Sequence, residues 1–207
     1  MSKKARLSEF NRNNIISAAK QLFAEKGMPQ TTMDEIAKKS DCSKSTIYVY
    51  FKSKEEIFDC IVLEHFILLK NVVEEAINKT TIFPESFFAI CNGVAGFYNS
   101  NPFYLESILG EIKIDESESN PVLFQMYTVG EQLNDIIVDY LKACIANGNI
   151  RDESHRLYEN TFALWGALCG IISLAHKKEK YIEYRMSVSK EEFMQNGFDF
   201  LLRSLMP

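Results

Sequence analysis

Apolar residues recur at three- and four-residue spacing along most of the chain, and nowhere is there a sustained alternation of period two. That pattern predicts helices throughout and no sheet, an all-α fold. Near the N-terminus, Ile15, Ile16, Ala19, Leu22 and Phe23 form one stripe. Lys26-Gly27 ends it, since glycine accepts the left-handed conformation that closes a helix, and Pro29 prevents a quick restart. Thr32-Met33-Asp34-Glu35 has the spacing of a capping box, with Ile36 and Ala37 as the buried side of a second, short helix. Ser40-Asp41-Cys42 reads as a tight polar turn. Ser43 then offers an N-cap for a third helix, Lys44 to Tyr50, with Ile47 inward and Phe51 closing it. A further capping box, Ser53 to Glu56, starts the fourth helix.

The remaining apolar stripes predict helices over 54–79, 84–99, 102–113, 121–147, 154–178 and 190–205. Asn101-Pro102 and Asn120-Pro121 each place a cap before a proline, Ser189 to Glu192 makes another capping box, and Asn147-Gly148 ends the long helix. The chain divides into a three-helix head, 1–53, and a helical body, 54–207.

Charge separates the same two regions. The head carries ten basic and five acidic side chains, a balance of +5, whereas 54–207 has 13 basic and 23 acidic, so the overall −5 conceals a basic head on an acidic body. A basic head suits a polyanion, because Lys and Arg near phosphates release condensed counterions. A solvated surface whose sign varies along the chain would look the same. Lys3, Lys4 and Arg6 fit either a disordered arm adding attraction or a solvated tail.

Other functions find little support. The five cysteines are widely spaced with no C-x-x-C, and the three histidines have no ligand-spaced partner, so neither a metal nor another cofactor is expected. No Gly-rich phosphate loop or Ser/His/Asp set argues for an enzyme. The polar start MSKKARLSEFNRN lacks a signal peptide's apolar core, and no run of eighteen uninterrupted apolar residues occurs. The expectation is a cytoplasmic protein with no membrane partner.

Two short helices joined by a three- to four-residue turn, behind a longer helix, describe a helix-turn-helix. The outer side of the third helix carries Lys44, Ser45, Thr46, Tyr48 and Tyr50, groups that can bond phosphates or base edges. A capped surface helix of any all-α bundle would fit the spacing too. The runs Thr31 to Ala37 and Cys42 to Lys54, with the Ile16–Gly27 helix before them, resemble the DNA-binding region of the TetR family of bacterial transcriptional regulators. Asp41 stands where that family most often has glycine, and Cys42 where it has valine. The resemblance implies that Ser43–Tyr50 is the recognition helix. It places Ser43, Lys44, Ser45 and Thr46 at base edges or nearby phosphates, Tyr48 and Tyr50 on the sugar-phosphate backbone, and Thr32 and Lys54 on flanking phosphates. Lys44 is the side chain expected to read a guanine.

In the body, Ala163, Gly166, Ala167 and Gly170 are small residues on one helical face, and Phe198, Leu201 and Leu202 crowd the final helix. A monomer could bury them internally. The resemblance implies instead a homodimer pairing these two helices with their mates, which would set two recognition helices about one DNA turn (~34 Å) apart on a palindromic operator. Phe88, Phe97, Phe103, Phe124 and Trp165, with Asn92, Tyr127 and Glu131 as polar members, are candidates for a pocket holding a small, largely apolar effector. Each aromatic also suits the core. Glu111, Asp115, Glu116 and Glu118 read as a cation-attracting stretch or a solvated loop. The expected function is a ligand-responsive repressor; the alternative is a helix-turn-helix DNA binder without a small-molecule effector.

Overall fold

Ser2 opens the first helix, its hydroxyl accepting the Ala5 amide proton at 3.2 Å. The computed structural model describes residues 2–110 and 121–207, with backbone alone at Lys3 and Lys4. Among these residues all regular structure is helical. Contacts divide the chain into two units, one running to His65 and including 121–126, the other Phe66–Gly110 with Tyr127–Pro207. The acidic positions 111, 115, 116 and 118, the end of the helix expected to reach 113 and the Asn120 cap lie outside the described residues.

The first unit holds α1 (Lys3–Lys26), α2 (Met33–Lys39), α3 (Lys44–Tyr50) and the opening turns of α4 (Lys54–Lys79). Residues 3–6 are helical, so of the two readings of this segment the disordered arm does not hold. Helices of seven residues are unstable alone, so α2 and α3 depend on burial. Ile15, Ile36, Ile47 and Ile57 are all fully buried, one from each helix, and each such side chain contributes about 1.5–3 kcal/mol. Gly27 (φ 82°) and Asp41 (φ 52°) take the left-handed conformation at the two turns, Asp41 as the polar turn required. The buried Ser40 hydroxyl donates to Ile36 O at 2.8 Å, and Asn14 Nδ2 donates to Ser40 O at 2.6 Å, which fixes the α2–α3 turn against α1.

The second unit contains α5 (Glu85–Ser100), α6 (Pro102–Ile108), most of α7 (Pro121–Ala146), a 3₁₀ turn at Ser154–Arg156, α8 (Leu157–Lys177), α9 (Glu179–Met186) and α10 (Lys190–Leu205). The helix expected from 154 therefore begins as a 3₁₀ turn, and α9 has no counterpart in the periodicity because it buries only Ile182. Asn101 takes the N-cap position of α6 with Pro102 next, but its side chain makes no cap bond; its amide turns back and donates to Phe97 O at 3.2 Å. α8 and α10 pack closely: at Gly197 a Cβ would come within 2.7 Å of Ile171 Cγ2, so only glycine admits that approach. The five cysteines are free, four of them buried.

One stretch among the described residues, Ser154–Lys177, is long and apolar enough to cross a membrane, with mean hydropathy 1.2. Isolated polar residues such as Thr161 and Ser173 interrupt the stretch, so it holds no unbroken apolar run of that length. Only 28% of its apolar window is buried: Leu168, Cys169, Ile172 and Ala175 lie inside the unit, where α8 packs on α5 and α10, and much of the rest of the helix surface is open.

Candidate nucleic-acid interface

The head is braced by ion pairs between its helices. Lys26 Nζ meets Glu35 at 2.5 Å and Lys39 meets Glu25 at 2.7 Å, tying the last turns of α1 to α2. Thr32 and Glu35 form the predicted capping box: the Glu35 amide donates to Thr32 Oγ1 at 3.3 Å, and the Thr32 amide donates to Glu35 Oε2 at 2.9 Å. The Thr32 hydroxyl donates to the same carboxylate at 2.9 Å, so it points into the cap in this state. The Lys26 bond first, then those from Thr32, bring the Glu35 carboxyl down to about 2.

Ser43 caps α3 as its position required, with the Thr46 amide donating to Ser43 Oγ at 3.0 Å. The same oxygen lies 2.8 Å from Ser45 Oγ and 2.7 Å from Thr46 Oγ1, so three hydroxyls form one cluster at the start of the helix. Ile47 is the buried anchor of α3, and the opposite side is presented to solvent. Lys44, Ser45 and Tyr48 are exposed, while Thr46 and Tyr50 are half-buried. Lys44 pairs with Asp34 of α2 at 2.8 Å, and the Tyr50 hydroxyl accepts from Asn11 Nδ2 at 3.4 Å.

Val49 is 79% exposed, an apolar side chain on the same outward side, and composition-based reading passed over it. Its helical spacing was the available signal: Ser45, Tyr48 and Val49 stand at i, i+3 and i+4, hence on one face. A valine there can meet a thymine methyl group.

Lys54 has a different situation from the one expected. Its ammonium donates to Met28 O at 3.1 Å, Pro29 O at 3.0 Å and Thr31 O at 3.0 Å. All three protons of the ammonium serve the α1–α2 turn, which leaves none directed outward for a phosphate. Thr31 completes the clamp, its hydroxyl donating to Gly27 O at 2.9 Å.

The dimerisation candidates separate into two groups within the second unit. Phe198, Leu201 and Leu202 are buried inside the chain, filling the α10 side that faces α8, so they are core residues and not a free surface. Ala163, Gly166 and Ala167 are exposed and Gly170 is half-buried; a Cβ at Gly166 or Gly170 would meet nothing within 4 Å. Phe162 (61% exposed) and Leu174 (52%) continue the strip at the same four-residue interval. On α10 the exposed apolar side chain is Phe200.

The effector candidates are scattered. Phe97 is buried in the core, and Phe88 is half-buried with its ring edge-on to Phe87 at 5.9 Å. Phe103, Phe124, Tyr127 and Glu131 are exposed, and exposed Asn92 accepts from Gln195 Nε2 at 2.7 Å. Trp165 lines a small apolar cavity of the second unit, with Phe87, Ile90 and Leu168. No group of acidic, histidine or cysteine side chains suited to a metal occurs among the described residues.

A short helix capped by a serine, anchored by one isoleucine and set across a tight turn from its supporting helix is the helix-turn-helix of DNA-binding regulators. The chain matches, over residues 15–61, the family model of bacterial regulatory proteins, tetR family. It is 28% identical over 134 residues to YhgD, an uncharacterized HTH-type transcriptional regulator of Bacillus subtilis, the match covering 65% of this chain and 66% of that one. It is 38% identical over 69 residues to IcaR of Staphylococcus aureus, the HTH-type negative transcriptional regulator of the biofilm operon icaADBC, covering 33% and 37% of the two chains. The matches thus span less than two thirds of either relative. The fold is similar to that of the TetR-family regulator PfmR of Thermus thermophilus, with a TM-score of 0.65 at 22% identity, covering 91% of this chain and 97% of that one.

Proposed function

We propose that the protein is a cytoplasmic repressor that binds a palindromic operator as a homodimer and is released by a small molecule. The observation that carries this reading is α3: an N-capped helix held by Ile47 whose Lys44, Ser45, Tyr48 and Val49 all face outward. A rigid, solvent-facing ridge of cation, hydroxyl and apolar groups matches what a major groove offers. The negative regulation named for IcaR, whose match to this chain is short, supports repression over activation. The open strip from Phe162 to Leu174 supports a second copy as the occupant of that face, since small residues let helix backbones approach closely. An effector bound in the second unit would act through α4, the helix that starts at the Lys54 clamp. A typical coupling of ~1–3 kcal/mol would weaken operator binding about 5–150-fold.

Selection of duplexes from a random pool tests this. The expected outcome is an inverted repeat with half-sites about one helical turn apart. Retention of all duplexes equally, or enrichment of a single unrepeated site, would overturn the dimeric-operator reading.

A further inference from the structure

Cations gather around α9 in the otherwise acidic body. Residues 177–190 hold five of its 13 basic side chains against two acidic ones, a balance of +3 where 54–207 as a whole stands at −10. The fold holds α9 firmly. Ile182 is 2% exposed and anchors the helix, which packs on α8 and α10. Lys190 meets Glu179 at 3.3 Å, and Ser187 (φ 57°) ends the helix with its amide donating to Glu183 O at 3.1 Å.

With Ile182 inward, the helical period places Lys180, Tyr181, Tyr184 and Arg185 on one outward face. They stand in two rows at four-residue spacing, Lys180 with Tyr184 and Tyr181 with Arg185, each row a cation beside a phenol. All four are exposed, Tyr184 by 88% and Tyr181 by 56%. Glu179 and Glu183 fall on the other flank. Lys178, exposed at the start of the helix, extends the face. Its neighbour Lys177 is occupied by Glu106 of α6 at 2.6 Å, whereas Lys178, Lys180 and Arg185 have no acid partner among the described residues.

We propose that this face of α9 binds the sugar-phosphate backbone of duplex DNA, as a sequence-independent contact in addition to α3. The proposal rests on the duplex-binding reading above and gives it a second surface. Lys178, Lys180 and Arg185 span about 10 Å along the helix axis, close to the rise of three successive phosphates of one strand at about 3.4 Å each. The tyrosine hydroxyls can donate to phosphate oxygens between them. Charge complementarity is local: the rest of the body repels a polyanion, and this face does not. A lipid surface fits it less well, because a membrane-seated helix turns its apolar side outward and the apolar anchor of α9 is buried.

Two duplexes, one enriched by selection and one of random sequence, are bound by the full chain across a salt series. Lys178→Gln, Lys180→Gln and Arg185→Gln combined should weaken binding to both by about tenfold or more at low salt. The salt slope should fall by about two to three units, since each phosphate contact contributes about 0.9. Tyr184→Phe, which keeps the ring and loses the hydroxyl, should weaken binding about two- to threefold. A comparison triple, Lys79→Gln, Lys142→Gln and Arg156→Gln, removes the same charge from other exposed positions of the second unit and should stay within about twofold of wild type. Circular dichroism should be unchanged in all of them. Equal effects of the two triples would reduce α9 to a share of net charge and overturn the proposal. An α9 triple that binds duplexes like wild type overturns it as well, and loss of poly-glutamate or phosphatidylglycerol-vesicle binding in that case would assign the face to an acidic polypeptide or a lipid. A wild type that enriches no inverted repeat yet depends on α9 keeps the proposal and removes the operator reading; one that enriches the repeat and ignores α9 does the reverse.

Discussion

Lys44, the first residue of α3, holds Asp34 of α2 in an ion pair of 2.8 Å. The bond to Asp34 raises the lysine's affinity for its proton. Both side chains are largely exposed, so the pair contributes little to stability. On the DNA-binding reading proposed above, a carboxylate accompanies the very cation expected to read guanine. Replacing Asp34 by Asn should free Lys44 and tighten non-specific duplex binding about three- to tenfold at low salt, with the gain shrinking as salt rises. Filter binding across a salt series checks this; unchanged affinity at every salt would place Lys44 away from the nucleic acid.

Lys54→Met separates clamping from phosphate contact. Charged hydrogen bonds contribute about 1.5–3 kcal/mol each when buried, and this half-buried ammonium makes three, so a loss on the order of 2 kcal/mol in urea denaturation is expected. DNA affinity should fall while its salt slope stays the same. A slope reduced by about one unit would instead mark Lys54 as a phosphate ligand in the complex.

Glu35 gives the head an acid dependence. Its carboxyl is depressed from an ordinary 4.5 to about 2, first by Lys26 and then by Thr32. A group whose folded value lies below its unfolded one stabilises above the unfolded value and loses that contribution as pH falls through the folded one. Glu35→Gln should therefore lower the melting temperature at neutral pH, and the gap to wild type should close between about pH 4.5 and 2. A gap that persists unchanged at pH 2 would show that Lys26 does not act through the charge.

Gly166 lies on the open strip of α8, where an added side chain meets nothing within 4 Å. Gly166→Arg should leave the monomer fold intact, since glycine in a helix interior is itself unfavourable by about 1 kcal/mol relative to alanine. Sedimentation should nevertheless show loss of the dimer, together with loss of palindrome binding. A dimer that survives the substitution would assign the interface to another face.

The head was largely readable because its determinants are local. Capping at Thr32 and Ser43 and the positive φ of Gly27 and Asp41 each depend on residues within a few positions. The body was not, since apolar crowding reveals burial but not the partner. Phe198, Leu201 and Leu202 looked like surface for a second chain, yet α8 of the same chain covers them, brought near by the absence of a side chain at Gly197. Likewise Phe97 and Phe103 are alike in sequence, but one is 4% and the other 52% exposed. The Lys54 clamp went unseen for a related reason: its three acceptors lie 23 to 26 residues away, beyond any local spacing rule.

The hydroxyl cluster around Ser43 Oγ has a bearing on how a regulator of this kind would tell one sequence from another. Because Ser43, Ser45 and Thr46 already satisfy one another, a base must offer better acceptors than the neighbours it displaces, and the exchange yields little net energy. Val49 has no such internal rival. Discrimination would then fall more on greasy contact and fit than on proton exchange, favouring thymine-bearing steps and tolerating single mismatches at positions the hydroxyls face.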